Sequence, residues 1–380
     1  MPVAYATPGA YREDVFIRPA VPLPTGVPGF VGFGRATGGA GEREAVLLHR
    51  PEEMAGRFEP DIAGFLADVV AGFFANGGVR CYLAGAASEG DGERALEKAI
   101  DKLAPLGDLD LVAVPDAMTL PQEAAQRVQG AAIAHCAALG NRFAILDAPR
   151  ETDPAAIARP LASWRTYGAA LANAALYYPW VKVMAGEAGG GRPVPPCGHV
   201  AGIFARCDER AGVSKAPANE ELQAVLDLEF PVDGVLQGRL NPLGINCLRA
   251  FPGRGLRVWG ARTLSAEPSW RYVNTRRVYL TLARWIERNL AWAAYEPNTP
   301  SLWFRIQREL GAYLAALWQA GALKGASPAE AFYVKCDAET NPPGEREQGR
   351  VATEVGLATA LPAEFVVVRI VHREGASRLS

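Results

Sequence analysis

Two places in the sequence combine residue types that could do enzymatic chemistry. Asp147 directly follows the apolar run 143–146, and α/β enzymes often place a catalytic carboxylate just after a buried strand. The glycines of Gly29-Phe-Val-Gly32-Phe-Gly34 resemble a dinucleotide-binding loop, although the third glycine of that pattern is missing. One candidate function is therefore an α/β enzyme that binds a nucleotide or small molecule near Gly32 and uses Asp147. The simpler interpretation is a glycine-rich strand end and a carboxylate that caps the next turn.

A metal site is the other chemistry to consider. Cys197, His199 and Cys207 lie close together in sequence, but their spacing fits no usual zinc pattern and a fourth ligand is missing. The four histidines are scattered, and no serine has the context of a nucleophile elbow. We therefore expect no catalytic residue, no metal site and no cofactor, and a packing role for His199.

Composition excludes several other classes of protein. The chain has 380 residues, of which 49% are hydrophobic and 21% charged, with a formal net charge of −2. This suits a globular protein of one large or two modest domains. The six cysteines contain no CxxC pair, so we expect buried thiols in a reducing compartment. No segment resembles a signal peptide or a membrane span.

Charge is distributed unevenly between two neighbouring segments. Residues 239–288 contain ten arginines and two acids, whereas residues 207–233 contain seven acids and two bases. Arginine without lysine favours planar, bidentate contacts at interfaces. The alternative is a solvated face with ion pairs inside the subunit. Nucleic-acid binding is disfavoured by the overall charge and by the absence of a binding motif.

Predicted helices and strands alternate through the first half of the chain. This order is typical of an α/β sheet with parallel pairs. Residues 186–202, rich in Gly and Pro, are predicted to form a long loop. We expect strands at 79–83, 109–114, 143–146, 181–184 and 332–336, and helices at 62–73, 93–103, 121–139, 153–176, 278–290 and 299–317.

The residue patterns at the two ends of the chain predict extended arms. Tyr11, Val15 and Ile17 share one face of a strand that a Pro-rich linker follows. The terminal strand from Phe365 is apolar on both faces, with Val368 and Ile370 on one and Val367 on the other. Such a strand must be covered on both faces. It is either a central strand of the chain's own sheet or one that joins a neighbouring subunit.

Several short motifs occur in a consistent order, most densely between residues 240 and 298. They are Leu240-Asn241-Pro242-Leu243-Gly244-Ile245-Asn246, Val258-Trp259-Gly260-Ala261-Arg262-Thr263, Trp270-Arg271-Tyr272-Val273-Asn274, Arg276-Arg277 and Tyr295-Glu296-Pro297-Asn298, with Thr7-Pro8-Gly9-Ala10-Tyr11, Gly72-Phe73-Phe74-Ala75-Asn76-Gly77-Gly78 and Pro362-Ala363-Glu364-Phe365 outside that region. Together they resemble the contractile tail sheath proteins, which enclose the inner tube of contractile phage tails and related injection systems.

The resemblance implies a fold and a division of the chain. The fold is α/β: a compact sheath body with a mixed sheet flanked by helices, plus extended N- and C-terminal β-strand arms. Residues 1–26 would be the N-terminal arm and linker, and residues 362–380 the C-terminal arm strand. The body, residues 27–361, would divide into an α/β half at 27–185 and a family C-terminal half at 186–361.

The resemblance also implies a structural function without catalysis. The subunit would form stacked hexameric rings in a metastable extended lattice and contract to drive the tube into a target. Its partners would be further copies of itself, the inner tube protein, and baseplate and tail-terminator proteins, with no nucleic acid and no direct membrane insertion. Assembly would take place in the bacterial cytoplasm, followed by a place in a phage tail or a released injection particle. A type VI secretion sheath is a further alternative, although such sheaths are usually divided between two chains.

One helix is the candidate for contacts with the tube or the lattice. Within the expected helix that begins near Thr275, Arg277, Arg284 and Arg288 are spaced seven and four residues apart and are expected to share an outer face. The apolar residues Val278, Leu282 and Trp285 are expected to pack against the body. We therefore expect the three arginines to face acidic surfaces, including the 207–233 segment of a neighbouring subunit.

Overall fold

A computed structural model describes residues 23–37, 44–185, 190–362, 364, 370–373 and 376–379. Its strands are β1 Pro28–Ala36, β2 Val46–Leu48, β3 Phe58–Pro60, β4 Cys81–Ala86, β5 Leu111–Ala113, β6 Phe143–Asp147, β7 Ala174–Tyr178, β8 Val181–Ala185, β9 Gly190–Val194, β10 Glu220–Glu221, β11 Asp227–Leu228, β12 Ile245–Phe251, β13 Gly255–Trp259, β14 Phe332–Lys335, β15 Glu354–Leu357, β16 Ile370–Arg373 and β17 Ala376–Leu379. Its helices are α1 Met54–Arg57, α2 Leu66–Ala75, α3 Gly92–Asp101, α4 Gln122–Leu139, α5 Pro154–Trp164, α6 Cys197–Ala211, α7 Gly234–Leu240, α8 Val273–Asn289, α9 Pro300–Gln319, α10 Pro328–Ala331 and α11 Pro343–Glu347.

A ten-stranded mixed sheet is the centre of the fold. Its order is β10-β13-β12-β7-β6-β5-β1-β4-β2, with β3 paired to β1. The central strands, from β12 through β7, β6, β5 and β1 to β4, run parallel. Antiparallel strands form the two edges. The predicted fold class, a mixed sheet flanked by helices, is confirmed.

The central strands are buried on both faces, which explains their continuous apolar sequences. Phe30, Leu111 and Ile145 contribute to one core, together with α2 and α6. Val31, Val112 and Leu146 point to the other face, where α3 and α4 pack. Successive residues along each strand thus fill two cores.

A third core lies in the last third of the described chain. It joins the C-terminal end of α8 to α9, β14 and β15. Trp285 and Tyr313 stack with ring centroids 4.3 Å apart. Val278, Leu282 and Trp285 are all buried, so the predicted apolar face of α8 does pack against the body.

Two expected elements differ from the structure. The helix expected over 153–176 ends as α5 at Trp164, because a 3₁₀ segment with Gly168 at a φ of 51° follows it and the buried residues 174–178 form β7. The loop expected at 186–202 is wrong, since it contains β9 and the start of α6.

The ends of the chain test the arm prediction only in part. Tyr11, Val15, Ile17, Phe365, Val367 and Val368 lie outside the described residues. Ile370 begins β16, which pairs antiparallel with β17. The proposed division at residue 185 remains a prediction, although β12 hydrogen-bonds to β7 across it.

Within the described ranges, no helix combines the length and the apolar character that crossing a bilayer requires.

Candidate functional site

Asp147 is a buried structural residue. It lies at the end of β6 with 1% of its surface exposed, and its Oδ1 accepts a hydrogen bond from the backbone N–H of Cys197, 2.9 Å away, at the first turn of α6. Burial raises the pKa of Asp147 to about 7, against the opposing hydrogen bonds from Cys197. The side-chain amide of Gln129 pairs with the backbone of Asp147. The carboxylate thus caps a helix.

The glycine-rich segment is a strand and does not form a phosphate-binding loop. Gly32 lies inside β1, where an added Cβ would approach Asp116 Oδ2 to 2.5 Å. Asp116 accepts hydrogen bonds from Phe33 N at 2.7 Å and Phe65 N at 2.5 Å, and burial raises its pKa to about 6. An open groove of about 1020 Å³ lies beyond the end of β1, but Asp147 does not line it.

Cys197, His199 and Cys207 all lie on α6 and are buried. His199 packs on Gly72 of α2, where an added Cβ would lie 2.4 Å from its Cε1. Burial lowers the pKa of His199 to about 4, against a smaller contact with the backbone of Ala224. In the part of the chain that the structure describes, no three His, Cys, Asp or Glu side chains are grouped to hold a metal ion.

The arginine block contains a buried charge cluster. Arg277 donates to both oxygens of Asp208, at 2.7 and 2.5 Å, and to Asp110 at 2.9 Å. Burial opposes the charge of Arg277, but Asp208 and Asp110 outweigh it and raise the pKa of the guanidinium. Arg284 lies 3.9 Å from Asp110 and donates to the carbonyls of Pro24 and Asp108.

This cluster corrects the prediction for α8. Arg277 and Arg284 are each 2% exposed, so they do not share an outer face and are not surface contacts for a tube or a neighbour. Their acidic partners belong to the same subunit, and Asp208 comes from the 207–233 segment, which was expected to act from a neighbouring subunit. The face of α8 that carries these two arginines points towards the start of the described chain and not to solvent. Arg288 is exposed and remains a candidate contact.

The buried acid Asp110 binds what we call the N-terminal root, residues 24–27. Gly26 N and Val27 N donate to the Asp110 carboxylate at 3.1 and 2.7 Å. Gly26 has a φ of 68°, and an added Cβ would lie 2.5 Å from Ala205 Cα. The chain therefore enters β1 along a path that only glycine permits.

A second polar cluster binds what we call the C-terminal root, residues 357–362 and 364. Arg262 donates Nε and Nη2 to the two oxygens of Glu364, at 2.8 and 2.7 Å. Asn241 and the Tyr272 hydroxyl donate to the same carboxylate. Burial raises the pKa of Glu364, but these hydrogen bonds, led by Arg262, outweigh it and hold the pKa below its usual value.

Sequence reasoning missed the partners in both clusters. Asp110, Asp208 and Glu364 lie 69 to 167 residues from the arginines that bind them. Arg262 and Glu364 each fall in a motif of the family resemblance, which was the only signal available for this pair. Arg262 and Glu364 come into contact only in the folded chain.

Comparisons with known proteins agree with one another. Residues 92–264 match the model of the phage tail sheath protein central domain, and residues 265–373 match that of the phage tail sheath C-terminal domain. The chain is 28% identical over 258 residues to a prophage major tail sheath protein of Pseudomonas aeruginosa (strain UCBPP-PA14). That alignment covers 66% of this chain and 63% of the relative, so it spans less than two thirds of the relative's length.

Solved structures match over nearly the whole chain. The helical sheath of the anti-feeding prophage in its contracted state has a TM-score of 0.78 at 30% identity, over 97% of this chain and 100% of that one. The sheath complex of PVC, an extracellular contractile injection system, in its contracted state has a TM-score of 0.75 at 28% identity, over 98% and 99%. A sheath tail protein from Desulfitobacterium hafniense, at 9% identity and a TM-score of 0.59 over 87% and 94%, shares the fold.

Proposed function

The chain belongs to the phage tail sheath family, and we propose that it is the structural subunit of the contractile sheath of an injection system. The observation that carries this proposal is the match over 97–98% of the chain to sheath subunits of two such particles. These relatives are structural proteins, and Asp147 and Gly32 both have structural roles in this chain. The alternative of an enzyme built on these residues is not supported.

The subunit acts by assembly. Copies form stacked hexameric rings around an inner tube, in an extended lattice that is metastable. Contraction releases free energy stored during assembly, with no nucleotide hydrolysed. Physically, this requires interfaces between subunits with two alternative packings.

Strand exchange connects the subunits. The N-terminal arm carries Tyr11, Val15 and Ile17, and the C-terminal arm carries Phe365, Val367, Val368 and Ile370. Among the described residues, β14 and β15 pair only with each other, so neither has a strand on its second edge. Main-chain hydrogen bonds to such an edge are a common mode of attachment. The arms of neighbouring subunits are the strands that fit this role.

The other partners are the inner tube protein, the baseplate and a tail-terminator protein, with no nucleic acid and no membrane insertion. Assembly takes place in the cytoplasm of the producing bacterium, and the sheath then becomes part of a phage tail or an extracellular particle. One solved structure similar to this chain is from the baseplate of the anti-feeding prophage, symmetrised six-fold. That likeness supports the ring symmetry and the contact with a baseplate.

Electron microscopy of the chain expressed alone tests the proposal. We expect ordered tubes from the full chain. Deletion of residues 1–18 or of residues 365–380 is expected to leave a folded body that forms no long tubes. The second cut preserves Glu364, which belongs to the body's polar network. Thermal unfolding of each truncated chain serves as the control for folding.

Two results would contradict the proposal. If the full chain stays a small oligomer whose unfolding temperature rises with a nucleotide, the protein is not a sheath subunit. If the truncated chains still form ordered tubes of normal length, strand exchange is wrong.

A further inference from the structure

Helix α8 and the residue just before it contact both roots. At its start, Asn274 Nδ2 donates to the carbonyl of Ala360 at 3.1 Å, and the Tyr272 hydroxyl donates to Glu364. Farther along, Arg284 donates to the carbonyl of Pro24 at 2.8 Å. Arg277 acts through Asp110, which binds Gly26 and Val27. One end of the helix thus holds the C-terminal root, and the rest holds the N-terminal root.

The helix is fixed firmly enough to keep these contacts apart at one distance. Asn274 and Arg284 are ten residues apart, which is about 15 Å along a helix axis at 1.5 Å per residue. Val273, Val278, Leu280, Leu282 and Trp285 are all buried, so the helix cannot slide or rotate without disrupting packing.

The backbone next to α8 strengthens the contact with the C-terminal root. Thr263 N donates to Arg271 O and Val273 N donates to Ala261 O, so Arg262 lies beside Tyr272. Arg262 Nη1 also donates to the Asn241 carbonyl at 3.0 Å. The groups that bind Glu364 therefore form one unit with the start of α8.

The two contacts differ in burial. The side chains of Arg277 and Asp208 are 3% and 2% exposed, whereas those of Arg262 and Glu364 are 14% and 20% exposed. Removing one partner of a buried ion pair strongly destabilises the fold, because the other charge is left buried and uncompensated. A partly exposed pair contributes less to stability. The C-terminal root is the one that can be loosened without unfolding the body.

We infer that α8 holds the two roots at a fixed separation, so that a pull on one arm is passed through this helix to the other arm. The inference rests on the proposed function, because the arms carry force only if they join neighbouring subunits. In a contracting lattice, α8 would then connect the neighbour that holds one arm to the neighbour that holds the other. Arg262, Tyr272, Asn274, Arg277 and Arg284 are positioning residues in this arrangement.

Hydrogen exchange measured by mass spectrometry tests the contact at the C-terminal root. In Glu364→Gln, and separately in Arg262→Gln, amides of residues 358–364 should exchange roughly tenfold faster than in the wild-type chain, because a charged, forked pair is lost. The matched control is Glu93→Gln, which removes a forked pair with Arg127 on α3 and α4, away from both roots. Glu93→Gln should leave exchange at 358–364 unchanged.

A distance measurement tests the fixed separation. The native cysteines are all buried, so spin labels can be placed at Leu23→Cys and Leu361→Cys, and the labelled chain can be diluted into unlabelled chain. Pulsed electron resonance should give one narrow distance distribution in the wild-type background and in Glu93→Gln. It should give a distribution at least twice as broad in Glu364→Gln, together with shorter sheath tubes by electron microscopy.

The outcomes distinguish the inferred role of α8 from the proposed function as a sheath subunit. Unchanged exchange and an unchanged distance in both Glu364→Gln and Arg262→Gln would overturn the role of α8, even if the wild-type chain forms tubes. Wild-type chain that forms no tubes would contradict the proposed function, while the exchange and distance comparisons would still decide whether α8 holds the roots. Equal shortening of tubes in Glu93→Gln and Glu364→Gln would also overturn the inference.

Discussion

Arg277, Arg284 and Arg288 lie on one helix, but burial gives them different roles. Arg277 and Arg284 are almost fully buried and bind acids or carbonyls of their own subunit. Arg288, one turn after Arg284, is exposed. A spacing of seven and four residues places side chains near one another on a helix, yet the rest of the subunit buries Arg277 and Arg284 and leaves Arg288 exposed. The charge of a side chain therefore does not by itself assign it to an interface.

Replacement of Arg277 tests this difference. Arg277→Ala leaves Asp208 buried without its counter-charge and leaves Asp110 with only Arg284, 3.9 Å away, so we expect a loss of about 3–5 kcal/mol in the free energy of unfolding. Arg288→Ala, the matched control on the same helix, should change it by no more than about 0.5 kcal/mol. Urea unfolding of chains that lack residues 1–18 checks both values. Equal, small losses would show that the buried cluster is not charged as described.

His199 gives stability a dependence on pH. Its pKa is lowered to about 4 by burial, whereas in the unfolded chain it stays near 6.5. The unfolded chain therefore binds more protons between these values, and stability is complete above about pH 6.5 and lost as the pH falls towards 4. Asp147 and Asp116, whose pKa values are raised, act in the opposite direction over part of this range.

A difference measurement isolates the contribution of His199. Relative to His199→Gln, the wild-type chain should lose about 2 kcal/mol of unfolding free energy between pH 7 and pH 4.5. Denaturant titrations at a series of pH values give this difference, and the contributions of Asp147 and Asp116 cancel in it. A difference that stays constant with pH would mean that His199 does not remain neutral in the folded chain.

At the scale of elements, α6 shows how glycine serves close packing. An added Cβ at Gly198 would lie 2.2 Å from the backbone oxygen of Val69, and one at Gly202 would lie 2.4 Å from that of Phe73. The backbones of α6 and α2 therefore meet almost directly, and His199 fills the space above Gly72. Gly-rich sequence usually indicates a loop, which is why the start of α6 was predicted as one.

Other elements could be predicted from the sequence because their signals are local. The apolar spacing of α3 and α4 and the apolar runs of β5 and β6 gave their positions to within a few residues. The polar clusters could not be predicted, since Arg277 and Asp110 are 167 residues apart. Gly198 was ambiguous because its neighbour in α2 is known only from the fold. Local patterns thus predicted α3, α4, β5 and β6, whereas β7 and the start of α6 depended on tertiary packing.

Two glycines in helices should respond oppositely to alanine. Gly198→Ala in α6 should destabilise the body by about 1–3 kcal/mol, because the new methyl group meets the backbone of α2, which cannot move aside freely. Gly311→Ala in α9 meets nothing within 4 Å and should stabilise the body by up to about 1 kcal/mol through helix propensity. Thermal unfolding of both variants checks the pair. A stabilised Gly198→Ala would show that α2 and α6 are farther apart than described.

At the scale of the whole molecule, the interactions that stabilise the fold are buried, whereas the charges that can contact other molecules are exposed. The sheet is buried on both faces, and a buried ion cluster fixes the N-terminal root. The exposed charges, by contrast, can form or lose contacts with other molecules without affecting the fold. An exposed ion pair contributes only about 0–1 kcal/mol, but a ring repeats each contact. A sheath assembled through such pairs should therefore be sensitive to salt while its subunits stay folded.

Arg288 is the remaining candidate of the predicted α8 set for contact with the inner tube. Arg288→Glu should weaken binding of the subunit to preformed tubes of the inner tube protein several-fold at 0.1 M salt. It should leave the unfolding temperature of the subunit unchanged, because the side chain is exposed. The matched control is Arg308→Glu, an exposed arginine on α9. At 1 M salt, where the Debye length falls from about 10 Å to about 3 Å, the wild-type chain should lose most of its advantage over Arg288→Glu. Co-sedimentation with tubes at both salt concentrations measures this. Equal binding of the wild-type chain and Arg288→Glu at 0.1 M salt would remove the last arginine of α8 from the proposed tube contact.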